Sequence, residues 1–276
     1  MTNPKALLDR HAIQPRKSLG QNFLHDPNAL EKIVATAEIR PGELAVEVGA
    51  GTGALTEALA RAADQVIAYE IDGRLIPILS ERFRGAPHVR ILHEDFLAAY
   101  LPAIVGDHDP YVVVANVPYY ITSAIIRHIL EAPRRPRRMV LTVQLEVAER
   151  LVAKPGQAEM SLLSVSAQYY TQPQIVTRFK PAVFYPRPDV DSAVVRLDSH
   201  PAPPVDAPDD QTFFEVARAG FSQKRKQLRN SLADGLRISA ERAAELLNAA
   251  GVDPRRRPET LALEEWASIA RAWAGR

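Results

Sequence analysis

"VEVGAGTGALT", residues 46–56, decides how the chain reads. A short β-favouring run meets Gly49, Gly51 and Gly53, and "ALTEALARAA" (54–63) then takes up the apolar spacing of a helix. Glycines at a strand-to-helix turn let the backbone bend sharply and approach a ligand with no Cβ in the way. The helix start behind them offers unpaired N–H groups. The loop alone leaves its ligand open. Gly49, Gly51 and Ala54 also satisfy the G-x-G-x-x-A dinucleotide fingerprint, and a tight turn without ligand needs the same glycines.

Outward from the loop the pattern repeats. "LAVEV" (44–48), "VIAYE" (66–70), "VRILH" (89–93) and "YVVVA" (111–115) are strand candidates, with "GRLIPILSERF" (73–83) as a second connecting helix. This predicts an α/β fold with a parallel, doubly wound sheet. Further strands are expected at 138–143, 174–179 and 192–197, with a helix over "LEVAERLVAK" (145–154). "HPAPPVDAPDD" (200–210) holds four prolines and reads as a linker. Beyond it "QTFFEVARAGF", "SAERAAELLNAAG" and "LEEWASIARAW" read as helices. The expected organisation is an α/β domain over 1–199, a Pro-rich linker over 200–210 and a small all-helical domain over 211–276.

Bulk composition narrows the function classes. The 276 residues include 34 basic and 33 acidic ones, a net charge of +1, so nucleic-acid binding has to rest on local patches. No cysteine is present, which excludes disulfides, thiolate metal sites and a cysteine nucleophile. The seven histidines lack paired metal spacing, so no metal is expected. No apolar run reaches the roughly 18 residues of a membrane span, and "MTNPKALLDRH" lacks a signal-peptide core. A soluble, cytoplasmic protein away from membranes is expected.

The strand ends carry the chemistry. Glu70 closes the second strand, where a carboxylate can accept both ribose hydroxyls of a nucleoside. Asp95 follows the third in "HEDF", placed to accept an adenine amine, and Phe96 beside it can pack on the purine. Each acid singly is equally a solvated loop carboxylate. Adenosine recognition without a second dinucleotide half points to S-adenosyl-L-methionine over a nicotinamide. A nicotinamide oxidoreductase is the competing reading, and ligand binding separates the two.

At the fourth strand end stands "NVPYY" (116–120). An exocyclic aromatic amine is a poor nucleophile, because its lone pair is delocalised into the ring. Two acceptors aimed at its hydrogens favour a pyramidal nitrogen with a localised pair. The Asn116 side-chain oxygen and the Val117 carbonyl are the candidate acceptors, Pro118 holds Val117 extended, and Tyr119 supplies a stacking ring. The bland alternative is a strand-ending turn, but the composition makes Asn-x-Pro-Tyr a chance event expected only about 0.01 times.

These stretches, with "RKSLGQNFL" (16–24), "YEID" (69–72), "FYPRPDVDSAVVRL" (184–197) and "QKRKQLRNSL" (223–232), resemble the rRNA adenine N6,N6-dimethyltransferase family, and its small-subunit members in particular. The resemblance spans nearly the whole chain. It implies a Rossmann-like methyltransferase sheet, S-adenosyl-L-methionine as cofactor, and 16S rRNA of the small ribosomal subunit as partner. The substrate it implies is the pair of adjacent adenosines in the 3′-terminal hairpin. It implies cofactor contacts from Asn22, Leu24, Gly49, Glu70, Asp95 and Asn116, beside the Gly51 and Phe96 that the loop and the third strand end already offer, and an adenine held by residues 116–119. Phe184 reads as core from the residues alone, whereas the resemblance implies a second stacking ring. Val117 stands where Leu is usual, and "AEMSLLSV" (158–165) lacks the usual Tyr-Gly pair, so that loop is given no role.

An adenine in rRNA has to be unpaired or swung out to enter such a pocket. Lys224, Arg225, Lys226 and Arg229 are the RNA-binding candidates, with Arg225 and Arg229 on one face at helical spacing. The usual alternative for such a run is a solvated face. "PRRPRRM" (133–139) is a second basic cluster able to touch phosphate. A large-subunit rRNA methyltransferase, and an assembly factor that mainly binds, are the remaining alternatives. A monomer and a late assembly checkpoint role are also expected.

Overall fold

The computed structural model describes residues 3–106, 108, 110–223 and 225–275. Contacts divide the chain into two units, one of residues 1–148 with 173–199 and one of 149–172 with 200–276.

The first unit is built on a seven-stranded sheet: β1 (Leu44–Val48), β2 (Gln65–Glu70), β3 (Val89–His93), β4 (Tyr111–Asn116), β5 (Arg138–Gln144), β6 (Thr171–Phe179) and β7 (Ser192–Ser199). Their order across the sheet is β3-β2-β1-β4-β5-β7-β6. The first five run parallel, and β7 pairs antiparallel with β5. All five positions of β1 are buried, as in a central parallel strand covered on both faces. The predicted α/β class and doubly wound sheet are thus what the structure shows, and five strands match the sequence reading to within one residue at either end. β6 starts three residues early and β7 runs two residues longer.

Two helices precede the sheet, α1 (Pro4–Arg10) and α2 (Pro27–Ala37). Asp26 caps α2 by accepting from the Ala29 N–H at 2.9 Å, and Pro27 opens it. Leu30, Ile33 and Ala37 then face the core at helical spacing. The connections carry α3 (Ala54–Ala60), α4 (Ile76–Arg82), α5 (Leu101–Val105) and α6 (Thr122–Leu130). Sequence order reverses between β1 and β4, so the carboxyl ends of these strands flank a crevice where such sheets bind ligands.

At the opposite end of the strands the cluster "PRRPRRM" is structural. Arg137 pairs with Glu43 and donates to its Oε2 at 2.7 Å, and buried Arg138 pairs with Glu38 at 2.7 Å and with Asp198. Arg134 and Arg135 donate to backbone carbonyls, including those of His108 and Leu130. These arginines bind the sheet's own edge, which replaces the expectation that they touch phosphate.

After β7 the second unit begins at residue 200, but it also takes in residues 149–172, which the expected 1–199 domain included. After α7 (Leu145–Leu151) the chain enters the second unit, forms α8 (Leu162–Tyr170) there, and returns along β6. The reason is a four-ring cluster. Tyr169 stacks on Phe213 with centroids 4.3 Å apart, Tyr170 on Phe214 at 5.2 Å, and both hydroxyls donate to Asp210. Residues 200–208 carry no helix or strand, and Asp209 caps α9 (Asp210–Gly220) through the Thr212 N–H. There follow α10 (Leu228–Leu236), α11 (Ala240–Ala249) and α12 (Leu263–Ala274), with Trp266 buried among them. No described helix is long and apolar enough to cross a membrane.

Candidate active site

A cavity of about 320 Å³ opens at the carboxyl ends of β1, β2 and β4, within the range of small-molecule sites. Gly49, Gly51, Glu70, Asp95, Phe96, Asn22, Asn116, Val117 and Tyr119, all marked by the sequence, line it.

The glycine loop is tied to the next strand. Gly49 and Ala50 both donate to the Tyr69 carbonyl at 2.9 Å, and the Gly51 N–H donates to Glu70 Oε2 at 2.7 Å. The other Glu70 oxygen accepts from the Asp72 N–H at 2.8 Å. Each oxygen keeps a second lone pair for an incoming hydroxyl. Burial raises the Glu70 carboxyl, and the two backbone bonds oppose the shift. Gly51 sits at φ +56, and a Cβ there would meet the Phe23 ring at 3.0 Å, so this position requires glycine.

Exposed Asp95 uses one oxygen to accept from the Leu97 N–H at 2.9 Å. Phe96 is locked edge-on between Tyr69 and His128, with centroids at 5.2 and 5.4 Å. Ile71 is 51% exposed on the same wall. An apolar strip beside Glu70 and Asp95 suits a purine with its ribose.

Across the cavity the Asn116 amide is oriented by its nitrogen. Nδ2 donates to the Asn22 carbonyl at 2.8 Å, which leaves Oδ1 as an acceptor with no partner among the described residues. The Val117 N–H is taken by the Thr142 carbonyl, and no described N–H donates to the Val117 carbonyl. Both acceptors the sequence suggested are therefore available. The Tyr119 hydroxyl meets buried Ser192 Oγ at 2.6 Å, which anchors the ring from β7. Burial raises the Tyr119 hydroxyl, and Ser192 opposes this.

Two expected residues do not line this cavity. Phe184 is 1% exposed, pairs with Leu24 in a two-residue antiparallel ladder, and belongs to the hydrophobic core. This burial agrees with the reading of Phe184 from the residues alone. Leu24 is also buried, and lines a small cleft adjoining the cavity, together with Gly49, Gly51 and Asn116.

The same cleft exposes what the sequence reading missed. Glu47 is completely buried, and neither carboxylate oxygen has a hydrogen-bond partner. Burial raises its carboxyl to about 8, the Glu70 charge adds to this, and Arg82 opposes it. The Thr56 hydroxyl also opposes it. The signal was an acid inside an otherwise apolar run, "LAVEV". Gln21 was also missed. It accepts from Arg16 N at 2.7 Å and donates to Asp72 at 2.8 Å, while Arg74 grips Asp72 with two nitrogens. Arg74 holds the Asp72 carboxyl down at about 2. Among the described residues no group of three His, Asp or Glu has metal-holding geometry.

A family model described as ribosomal RNA adenine dimethylase matches residues 12–274. The chain belongs to this family. "Ribosomal RNA small subunit methyltransferase A" of Dehalococcoides mccartyi (strain CBDB1) is 45% identical over 100% of this chain and 94% of that protein. The protein of the same name from Geobacillus kaustophilus is 46% identical over 98% and 94%. The crystal structure of the 23S rRNA methyltransferase ErmE is similar at TM-score 0.70 and 31% identity, covering 91% of this chain and 99% of that one. A dimethyladenosine transferase from Plasmodium falciparum has TM-score 0.77 at 23% identity, over 92% and 98%, and supports the fold. This dimethylase is an enzyme with a Rossmann-like methyltransferase sheet.

In the second unit the basic run of this dimethylase departs from expectation. Lys224 lies outside the described residues. α10 begins at Leu228, so Arg225 and Lys226 stand in the turn before it and do not share a helix face with Arg229. Gln227 is extended, and the Leu228 and Arg229 N–H groups are taken by the carbonyls of Arg256 and Pro254, so the helix cannot start earlier. Lys226 faces Asp234 at 3.9 Å.

Proposed function

We propose that this dimethylase transfers methyl groups from S-adenosyl-L-methionine to the N6 amines of two adjacent adenosines in the 3′-terminal hairpin loop of 16S rRNA. The observation that carries the chemistry is the free acceptor pair, Asn116 Oδ1 and the Val117 carbonyl, facing a cavity that also holds Glu70 and Asp95. Small-subunit specificity draws on identity of 45% over the full chain to relatives with that name, against 31% to the large-subunit enzyme.

The site fits the cofactor on its own geometry. Glu70 keeps lone pairs for the ribose, Asp95 for the adenine amine, and Phe96 and Ile71 supply apolar walls. When bound, S-adenosyl-L-methionine supplies a methyl group already activated on a sulfonium. Asn116 and Val117 accept from the target amine and direct its lone pair at that methyl. Tyr119, held by Ser192, stacks on the base. No strong general base is required, because the nitrogen loses its proton only after it has gained the methyl. Positioning supplies most of the rate, with effective molarities reaching about 10⁵–10⁸ M.

Arg225, Lys226 and Arg229 are proposed to meet rRNA phosphates from a turn and a helix start, and the protein to work as a cytoplasmic monomer. Labelled cofactor supplied to unmethylated small and large subunits, followed by primer-extension mapping, tests the substrate. Label in the two adjacent small-subunit adenosines is expected. Label confined to the large subunit overturns the assignment in favour of an activity like that of ErmE.

A further inference from the structure

Four large apolar side chains are exposed among the described residues: Ile71, Tyr100, Tyr120 and Val190. Two of them, Ile71 and Tyr120, line the same cavity. Ile71 is accounted for by the purine wall beside Glu70. Tyr120, 58% exposed, has no part in the acceptor pair or its support.

Its placement follows from local geometry. Residues Tyr119–Ile121 form a 3₁₀ turn, in which successive side chains point about 120° apart. Tyr119 is anchored inward on Ser192, so Tyr120 is thrown outward at the mouth. One part of its ring rests on Gly20. A Cβ placed on Gly20 would lie 3.0 Å from the Tyr120 Cδ1 and 3.4 Å from its Cε1, and Gly20 has φ +58. Glycine at this position is what lets backbone back the ring.

The turn carrying Gly20 is firmly held and positively charged. Gln21 and Arg74 lash it to Asp72, with Arg74 also donating to the Gln14 carbonyl at 3.1 Å. Arg16 and Lys17 are exposed on it, and neither makes an ion pair among the described residues. Two such cations oppose a sulfonium ligand and favour phosphate. An exposed aromatic ring, backed by a turn that carries unpaired cations, is the combination that binds single-stranded nucleic acid, the base on the ring and the backbone on the charges.

We propose that Tyr120, backed by Gly20 on a turn that also carries Arg16 and Lys17, is a stacking platform for an unpaired nucleobase next to the one held at residues 116–119. The proposal rests on RNA being the substrate. It explains how two adjacent nucleotides are managed: one enters the cavity while its neighbour is parked on Tyr120, which keeps the strand open.

The test uses the full chain and a single-stranded adenosine oligonucleotide with one 2-aminopurine, comparing wild type, Tyr120→Phe and Tyr120→Ala. Loss of one base–aromatic stack weakens RNA binding about 5- to 150-fold in the Ala variant and abolishes the stacking quench of 2-aminopurine. The Phe variant keeps both, because stacking needs no hydroxyl. Cofactor affinity and melting temperature stay at wild-type values in both. Equal RNA affinity and quench in all three proteins overturns the proposal. So does a loss confined to cofactor affinity, which would assign the ring to the cofactor. Replacing Arg16 and Lys17 by Ala lowers the salt slope of binding by about 0.7 per lost phosphate contact, and an unchanged slope removes the cations from the platform. Wild-type methylation of small subunits is read separately, so failure of the substrate assignment is not confused with failure of the platform.

Discussion

Replacing Glu47 by Gln should make the protein less sensitive to alkaline pH, and the size of the effect follows from its burial. The carboxyl has an ordinary value of 4.5 and is raised to about 8 in the folded chain. Between those values the folded protein holds a proton that the unfolded chain has released, so stability falls as pH rises. The contribution is whole below 4.5 and gone above 8. At about 1.4 kcal/mol per pH unit the interval is worth about 5 kcal/mol, of which about 3 kcal/mol falls between pH 6 and pH 9. Gln keeps the shape and cannot ionise. Urea unfolding of wild type and Glu47→Gln at pH 6, 7, 8 and 9 measures the difference, and the other titrating groups cancel between the two proteins. The variant should gain about 3 kcal/mol on wild type across that range. Parallel curves, within about 0.5 kcal/mol, would show that Glu47 is ionised when folded and would refute the reasoning.

Three further perturbations separate the parts of the molecule. Asn116→Ala removes the one oriented side-chain acceptor, and kcat/KM for RNA methylation should fall about 10²- to 10³-fold, as for other single groups aimed at a reacting centre; wild-type turnover would remove Asn116 from the chemistry. Gly51→Ala forces a Cβ into left-handed backbone 3.0 Å from the Phe23 ring, so it should cost about 1–3 kcal/mol of stability in a thermal melt and weaken cofactor binding through the Glu70 tie; an unchanged melt and affinity would contradict this. Arg138→Met breaks a buried arginine from Glu38 and Asp198, whose side chains are 59% and 35% exposed; water can reach the released carboxylates, so about 1–2 kcal/mol is expected by urea unfolding in place of the 3–5 kcal/mol of a pair buried at both ends.

Much of this was legible because it is local. Strands such as "LAVEV" and "VRILH" declare themselves by composition, and the ligand-facing residues stand at their carboxyl ends, where a doubly wound sheet gathers them. Helix α2 is signalled locally too, by the capping Asp26 and by Pro27 in its first turn. α8 was harder: "LLSVSAQYY" is apolar on most faces, and its partner lies some forty residues away at Asp210–Phe214. The basic runs misled for a similar reason. Charge is visible in sequence, but its partner is not, and Arg137 and Arg138 proved to face Glu43, Glu38 and Asp198.

The sheet, the glycine loop, the acids at the strand ends and the Asn-Val-Pro-Tyr turn are written in the sequence, since each depends on neighbours a few residues apart. Which way those groups face is settled by packing across the fold. A carbonyl from Asn22 turns the Asn116 amide, Ser192 anchors Tyr119, Leu24 draws Phe184 into the core, and burial in a central strand leaves Glu47 holding a proton. Orientation and protonation are set by whatever packs against a side chain, and in this fold those partners come from distant parts of the chain.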